Sequence, residues 1–182
     1  MEVGLTTFGT IVVGVDNSPE SNEAIDWARS IAAPGDKIVL LHAWQLPVVT
    51  GYDMVVTIDP HEVEQYAKEA VDETVERLDD PRVIPVVHQG HPGRSLVAEA
   101  DERNAGLIVV GHRGNSRVSM MLGSTANYVL HHTKRPVVIL RGDHRPLPAH
   151  VVVGVDAHDL DETAENESVR ALRFAYSLPG VE

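Results

Sequence analysis

The segment GHRGNSRVSMMLGST, from Gly111 to Thr125, gathers three glycines, two arginines and a terminal Ser124-Thr125 pair. Those residue types at that spacing suit an anion. Gly111 and Gly114 let the backbone approach a phosphate closely and aim amide hydrogens at it. Gly123, Ser124 and Thr125 open a helix whose positive dipole end favours negative charge, and the two hydroxyls add donors. Arg113 and Arg117 can neutralise phosphate locally. A second polar group closes the run TIVVGV: Asp16, followed by Asn17 and Ser18, is placed to accept hydrogen bonds from ribose hydroxyls or to help hold a divalent cation. A plainer reading stands beside this one, in which the glycines only make tight turns between a strand and a helix.

Such residues act together only if the fold brings their loops to one place. Thr10 to Val15 is a β-branched run without helical period and reads as a buried strand. Ser18 can cap the following helix, Pro19 suits its first turn, and Ala24, Trp27, Ala28 and Ile31 recur at helical spacing until Pro34-Gly35. KIVLLHA, from Lys37 to Ala43, is a second buried strand, and Trp44 to Ile58 forms a long connection that could cover a ligand as a lid. Asp59-Pro60 opens a helix with Val63, Ala67, Ala70, Val71, Val75 and Leu78 on its inner face and acidic residues outside. A strand from Arg82 to His88, a helix carrying Leu96, Val97 and Ala100, a strand from Leu107 to Val110, a helix through Ala126, Val129 and Leu130, and the strand PVVIL complete the pattern.

Strict alternation of strands and helices predicts an α/β fold: an open, doubly wound, five-stranded parallel sheet with helices on both faces. In such a sheet the ligand crevice lies beyond the carboxyl ends of the strands, where the winding reverses. If the first and fourth strands are neighbours, the Asp16 loop and the glycine segment converge there. After Leu140 the chain begins again. VVVGVD, ending at Asp156, matches IVVGVD, ending at Asp16, and ESVRALRFAYSLPG from Glu167 matches ESNEAIDWARSIAAPG from Glu20. The expected organisation is a domain over residues 1–141, a Pro-rich charged linker over 142–149, and a partial second repeat of one strand and one helix over 150–182, cut short here or abbreviated in nature.

Composition narrows the function. A net charge of -12 repels nucleic acid and anionic membrane, so neither is an expected partner and any nucleotide must be held by local groups. The absence of cysteine removes disulfide frameworks and thiolate chemistry. The opening MEVGLTTFGT has neither basic nor apolar leader character, which makes the cytoplasm the expected compartment. Ten histidines raise a metal hypothesis, but His88 with His91, and His131 with His132, supply no full ligand set. The adjacent pair on a helix better complements its negative C-terminal end. No G-x-x-x-x-G-K-[ST] loop and no serine–histidine–acid set can be assigned. His91-Pro92-Gly93 is similar to a histidine motif of adenylate-forming synthetases, but it follows the third strand instead of the first and is discounted.

VGVDNSPES at Val13 to Ser21, VLLHA, GHP at Gly90 to Pro92, LIVVGHRG, LGSTANYVL and RPVVIL, in that order and spacing, resemble the universal stress protein family over about the first 141 positions. The resemblance implies strand order 3-2-1-4-5, a homodimer paired through the last strand, and, in one branch, binding of ATP. That branch carries G-x-x-G, nine residues, then G and Ser or Thr. Gly111, Gly114, Gly123 and Ser124 match, although Asn115 to Leu122 supplies eight intervening residues. By the same resemblance Asp16 contacts ribose or phosphate, Ala43 meets adenine through its backbone, and Thr125 extends the phosphate contacts. The expected function is an adenine-nucleotide-binding, stress-response regulatory module, not an enzyme beyond slow hydrolysis, with ATP as cofactor alone or with Mg or Mn. The alternative is a dimerising interaction module of the same fold that works without nucleotide.

Overall fold

The computed structural model describes residues 7–46, 59–112, 122–141 and 167–178. Arg113, Gly114 and Arg117, most of the long connection, the linker and the 151–155 run lie outside the described residues. The elements are β1 (Thr10–Val15), α1 (Pro19–Ile31), β2 (Lys37–Trp44), α2 (Pro60–Leu78), β3 (Val83–Gln89), α3 (Pro92–Glu102), β4 (Leu107–Gly111), α4 (Ser124–His132), β5 (Val137–Leu140) and α5 (Glu167–Ser177). The five strands are all parallel and lie in the order β3-β2-β1-β4-β5.

The strands read as unbroken apolar runs because both faces of the sheet are covered, and side chains alternate between them. Ile11, Val13, Ile38, Leu40, Leu107 and Val109 face a core closed by α1 and Val71 of α2. Val12, Val39, Leu41, Ile108 and Val110 face a second core closed by α3 and α4. β2 runs to Trp44, one residue past the apolar run seen in the sequence, because Trp44 pairs with Gln89 and its indole is buried. Phe174 and Leu178, in and after α5, pack against the first core, with the Phe8 and Phe174 rings 6.4 Å apart. Among the described residues no helix is long and apolar enough to cross a membrane.

Two buried carboxylates tie down the amino-terminal ends of the strands. Asp36, 2% exposed, accepts hydrogen bonds from Thr7 Oγ1 at 2.5 Å, Gly9 N at 2.8 Å, Ala33 N at 3.0 Å and Phe8 N at 3.1 Å. Burial works to raise its pKa, yet these donors together hold it below the ordinary 3.8. Asp80 bridges Arg82 at 2.7 Å and Arg29 at 3.1 Å, and Arg82 also donates to the Ala32 carbonyl. The hydrogen bond from Arg82 keeps the Asp80 carboxyl well below the usual carboxylate range despite burial.

A depressed folded-state pKa contributes stability that is present above the unfolded value and lost as pH falls through the folded value. Asp36→Asn removes the charge and turns an amide donor toward backbone N–H groups. It is expected to cost about 2 kcal/mol at pH 7. Urea titrations at pH 7 and pH 3 should show a smaller acid loss in the variant than in the wild type, with Asp80 supplying the remainder. An unchanged pH 7 stability would show that this knot is energetically neutral.

Candidate functional site

Beyond the carboxyl ends of β1, β2 and β4 the second face of the sheet opens into a cleft of about 250 Å³. Strand alternation puts Val12, Gly14 and Asp16 on this face, and Leu41 with Ala43 beside them. β1 pairs with β4 through Val12 and Ile108, so the Asp16 loop and the start of α4 flank one gap. Of the residues singled out in the sequence, Asp16, Ala43, Gly111, Gly123, Ser124 and Thr125 all line this cleft. Arg113 and Gly114 lie outside the described residues.

Each wall has a local cause. Asn17 adopts a left-handed backbone with φ 60, which turns the chain sharply after β1. Asp16 Oδ1 then accepts from Ser18 Oγ at 2.5 Å and from Ser18 N at 3.1 Å, while Ser18 Oγ itself accepts from Ser21 N at 3.1 Å as the cap of α1. The carboxylate is thus oriented by the same side chain that starts the helix. His42 Nδ1 donates to the Val15 carbonyl at 3.0 Å, holding the end of β1 against β2. A carbonyl can only accept, so that nitrogen carries the proton.

The glycine segment is pinned at both ends. His112 N donates to the Leu140 carbonyl at 2.6 Å, and the His112 carbonyl accepts from Gly123 N at 3.0 Å, clamping the start of α4 to the end of β4. Among the described residues the buried His112 Nδ1 has no hydrogen-bond partner.

Three helices end their approach at the cleft, and their first turns differ. α1 is capped by Ser18 and carries Glu20, and α3 is capped by His91 Nδ1, which accepts from Arg94 N at 3.4 Å. α4 begins at Gly123 with no side-chain cap and no acidic residue in its first turn. The positive end of its dipole lies at the cleft beside the Ser124 and Thr125 hydroxyls, and among the described residues no first-turn carboxylate or side-chain cap offsets it.

A family model for the universal stress proteins matches residues 7–141. The chain belongs to the universal stress protein family. A universal stress protein of Mycolicibacterium smegmatis is 29% identical over 179 residues, 90% of this chain and 59% of that relative, so the chain spans little more than half of the relative's length. The solved universal stress protein from Lactobacillus plantarum shares the fold with a TM-score of 0.60 at 22% identity, covering 74% of this chain and 99% of that one. A universal stress protein solved in complex with cAMP has a TM-score of 0.54 and 27% identity, over 74% of this chain and 97% of that one.

Sequence reasoning missed several residues of this universal stress protein's cleft. Gly14 is one: a Cβ there would stand 3.0 Å from Leu96 Cδ1 and 3.3 Å from Val110 Cγ1, so the bare backbone lets α3 pack close beneath the cleft. A glycine inside a β-branched strand was the available signal. Pro92 is another; the discounted His91-Pro92-Gly93 segment reaches the cleft because α3 starts at its rim. The histidines also have positions of their own. His88 Nε2 lies 3.3 Å from Glu99 Oε2, His91 caps α3, and His132 Nδ1 bonds the Tyr128 carbonyl at 2.8 Å.

Because Ser18 both caps α1 and orients Asp16, Ser18→Ala is expected to lower stability by about 1 kcal/mol, and Ser18→Thr to restore most of it. Urea midpoints of the three proteins check this. Equal midpoints for wild type and Ser18→Ala would mean that the cap is replaceable by solvent.

Proposed function

We propose that this universal stress protein binds an adenine nucleotide, ATP, in the cleft between β1 and β4 and acts as a non-catalytic regulatory module. The observation that carries the reading is the contrast among the three helix starts: among the described residues only the α4 end combines two hydroxyls with no side-chain cap and no acidic residue in its first turn. In a chain of net charge -12 such a local positive end is the natural place for phosphate. Asp16 on the opposite wall suits ribose hydroxyls, and Ala43 at the end of β2 offers backbone groups to a base. The cAMP complex of a 27% identical family member supports the adenine class.

Asp16 already accepts two hydrogen bonds from Ser18, which suits holding a ligand better than taking a proton from water. Turnover is therefore at most slow. Mg or Mn would reach the phosphates from the Asp16 side, the one carboxylate among the described lining residues. Residues 1–141 form the nucleotide domain in this reading. A linker over 142–149 leads to a partial second repeat over 150–182, of which α5, whose sequence parallels that of α1, is the helix, and two copies of the chain pair as a homodimer.

Ser124→Asp separates binding from folding. A carboxylate in the first turn of α4 complements the helix dipole, worth about 0.3–1 kcal/mol to stability, while repelling phosphate. Calorimetric titration with ATP should show affinity reduced by about tenfold or more, with a urea midpoint equal to or above wild type. Wild-type protein that takes up no ATP, or a variant that binds it equally well, would overturn the assignment. Phosphate release clearly above background would overturn the non-catalytic part.

A further inference from the structure

A second cavity, of about 660 Å³, lies at the other end of the sheet, against the amino-terminal ends of β4 and β5. Among the described residues it shares no lining residue with the cleft. Phe8, Phe174, Ala171, Leu130 and Val137 supply an apolar interior. Lys134, Arg135, Arg170 and Arg173 supply four cations, and among the described residues no carboxylate lines it. That sign runs against composition, since the chain carries 27 acidic residues and 15 lysines and arginines.

The cationic wall is partly built in advance. Arg135 Nε donates to Asp101 Oδ1 at 3.0 Å and its Nη1 to the Ala105 carbonyl at 2.5 Å, which fixes the guanidinium at the start of β5. Arg170 and Arg173 make contacts of their own. The preference for an anion comes from the sign of the lining as a whole and not from any unpaired group. Lys134 is exposed at the rim. A cavity of a few hundred Å³ with an apolar body and a few converging charges has the dimensions of a small-molecule site.

We propose that this cavity binds a small amphipathic anion: an aromatic or aliphatic body carrying a phosphate or carboxylate head. The body lies against Phe8 and Phe174, and the head meets Lys134, Arg135 and Arg173. The site is separate from the nucleotide cleft and does not depend on how that cleft is read.

Phenyl phosphate and benzoate serve as probes, with inorganic phosphate as the head alone, titrated into the isotope-labelled full chain and followed by amide chemical shifts. Saturable shifts are expected at residues 133–137 and 170–174 but not at 14–21 or 123–126. Phenyl phosphate should bind about tenfold more tightly than inorganic phosphate, because only it buries an apolar body. Lys134→Gln with Arg173→Gln should weaken phenyl phosphate about tenfold, whereas Lys68→Gln with Arg94→Gln, an equal change of charge elsewhere, should change it less than about twofold. Both double variants alter exposed side chains, and their unperturbed spectra report whether the fold is kept. Absence of shifts at 133–137 and 170–174 for both organic probes, equal affinity for inorganic phosphate, or equal losses in the two double variants would overturn the proposal.

Discussion

The pairing of β1 with β4 is the contact on which the rest of this molecule depends. The chain lays β1, β2 and β3 side by side in one direction, then crosses back so that β4 lands on the free side of β1. Connections right-handed by the twist of their strands must then leave β1 and β4 toward opposite faces. Their carboxyl ends part, and the gap between them becomes the cleft. Asp16 and Gly123 are 107 residues apart in sequence, yet both border it because Val12 sits against Ile108.

Electrostatics then gives the two ends of the sheet different characters. The carboxyl ends carry mostly partial charges, from the first amides of α4 and two hydroxyls, with one full charge, the Asp16 carboxylate, already turned by Ser18. The amino ends carry full charges. Asp36 and Asp80 are buried there with their donors, and Arg82, Arg29 and Arg135 stitch loops to strand starts. Full charges fixed by several partners make a rigid base, since breaking one partner leaves another buried and unpaired. Partial charges at the opposite end can be exchanged between water and a ligand at small cost.

Close backbone approaches complete the arrangement. Gly14 lets Leu96 of α3 settle against β1, and Gly93 lets Tyr128 of α4 lie on α3, where a Cβ would come within 2.7 Å of the Tyr128 Cβ. The stacked Tyr128 and His132 rings, 3.8 Å apart, extend that contact along α4. The two helices that frame the cleft are therefore held to each other as well as to the sheet.

How much was legible in the residues follows from what each signal measures. Apolar runs bounded by turn residues report local burial, so the five strands, α1 from Ser18 onward and α2 from Asp59 onward could be read without coordinates. Gly111, Gly123, Ser124 and Thr125 could be singled out by their types and spacing, and the family motifs supplied Ala43 and the strand order; all five residues line the cleft. Gly14, Pro92 and His42 were not legible as parts of a site. Their places depend on which helix crosses which strand, and strand pairing is set by burial on both faces at once. The chemistry of the second cavity was likewise hidden, because Lys134 and Arg173 are ordinary surface cations until Phe174 docks beside Phe8. The sequence by itself determined the elements, since periodicity is a local property. Only tertiary structure decided which loops share a cleft and where the cations converge, because those are distances between residues far apart in the chain.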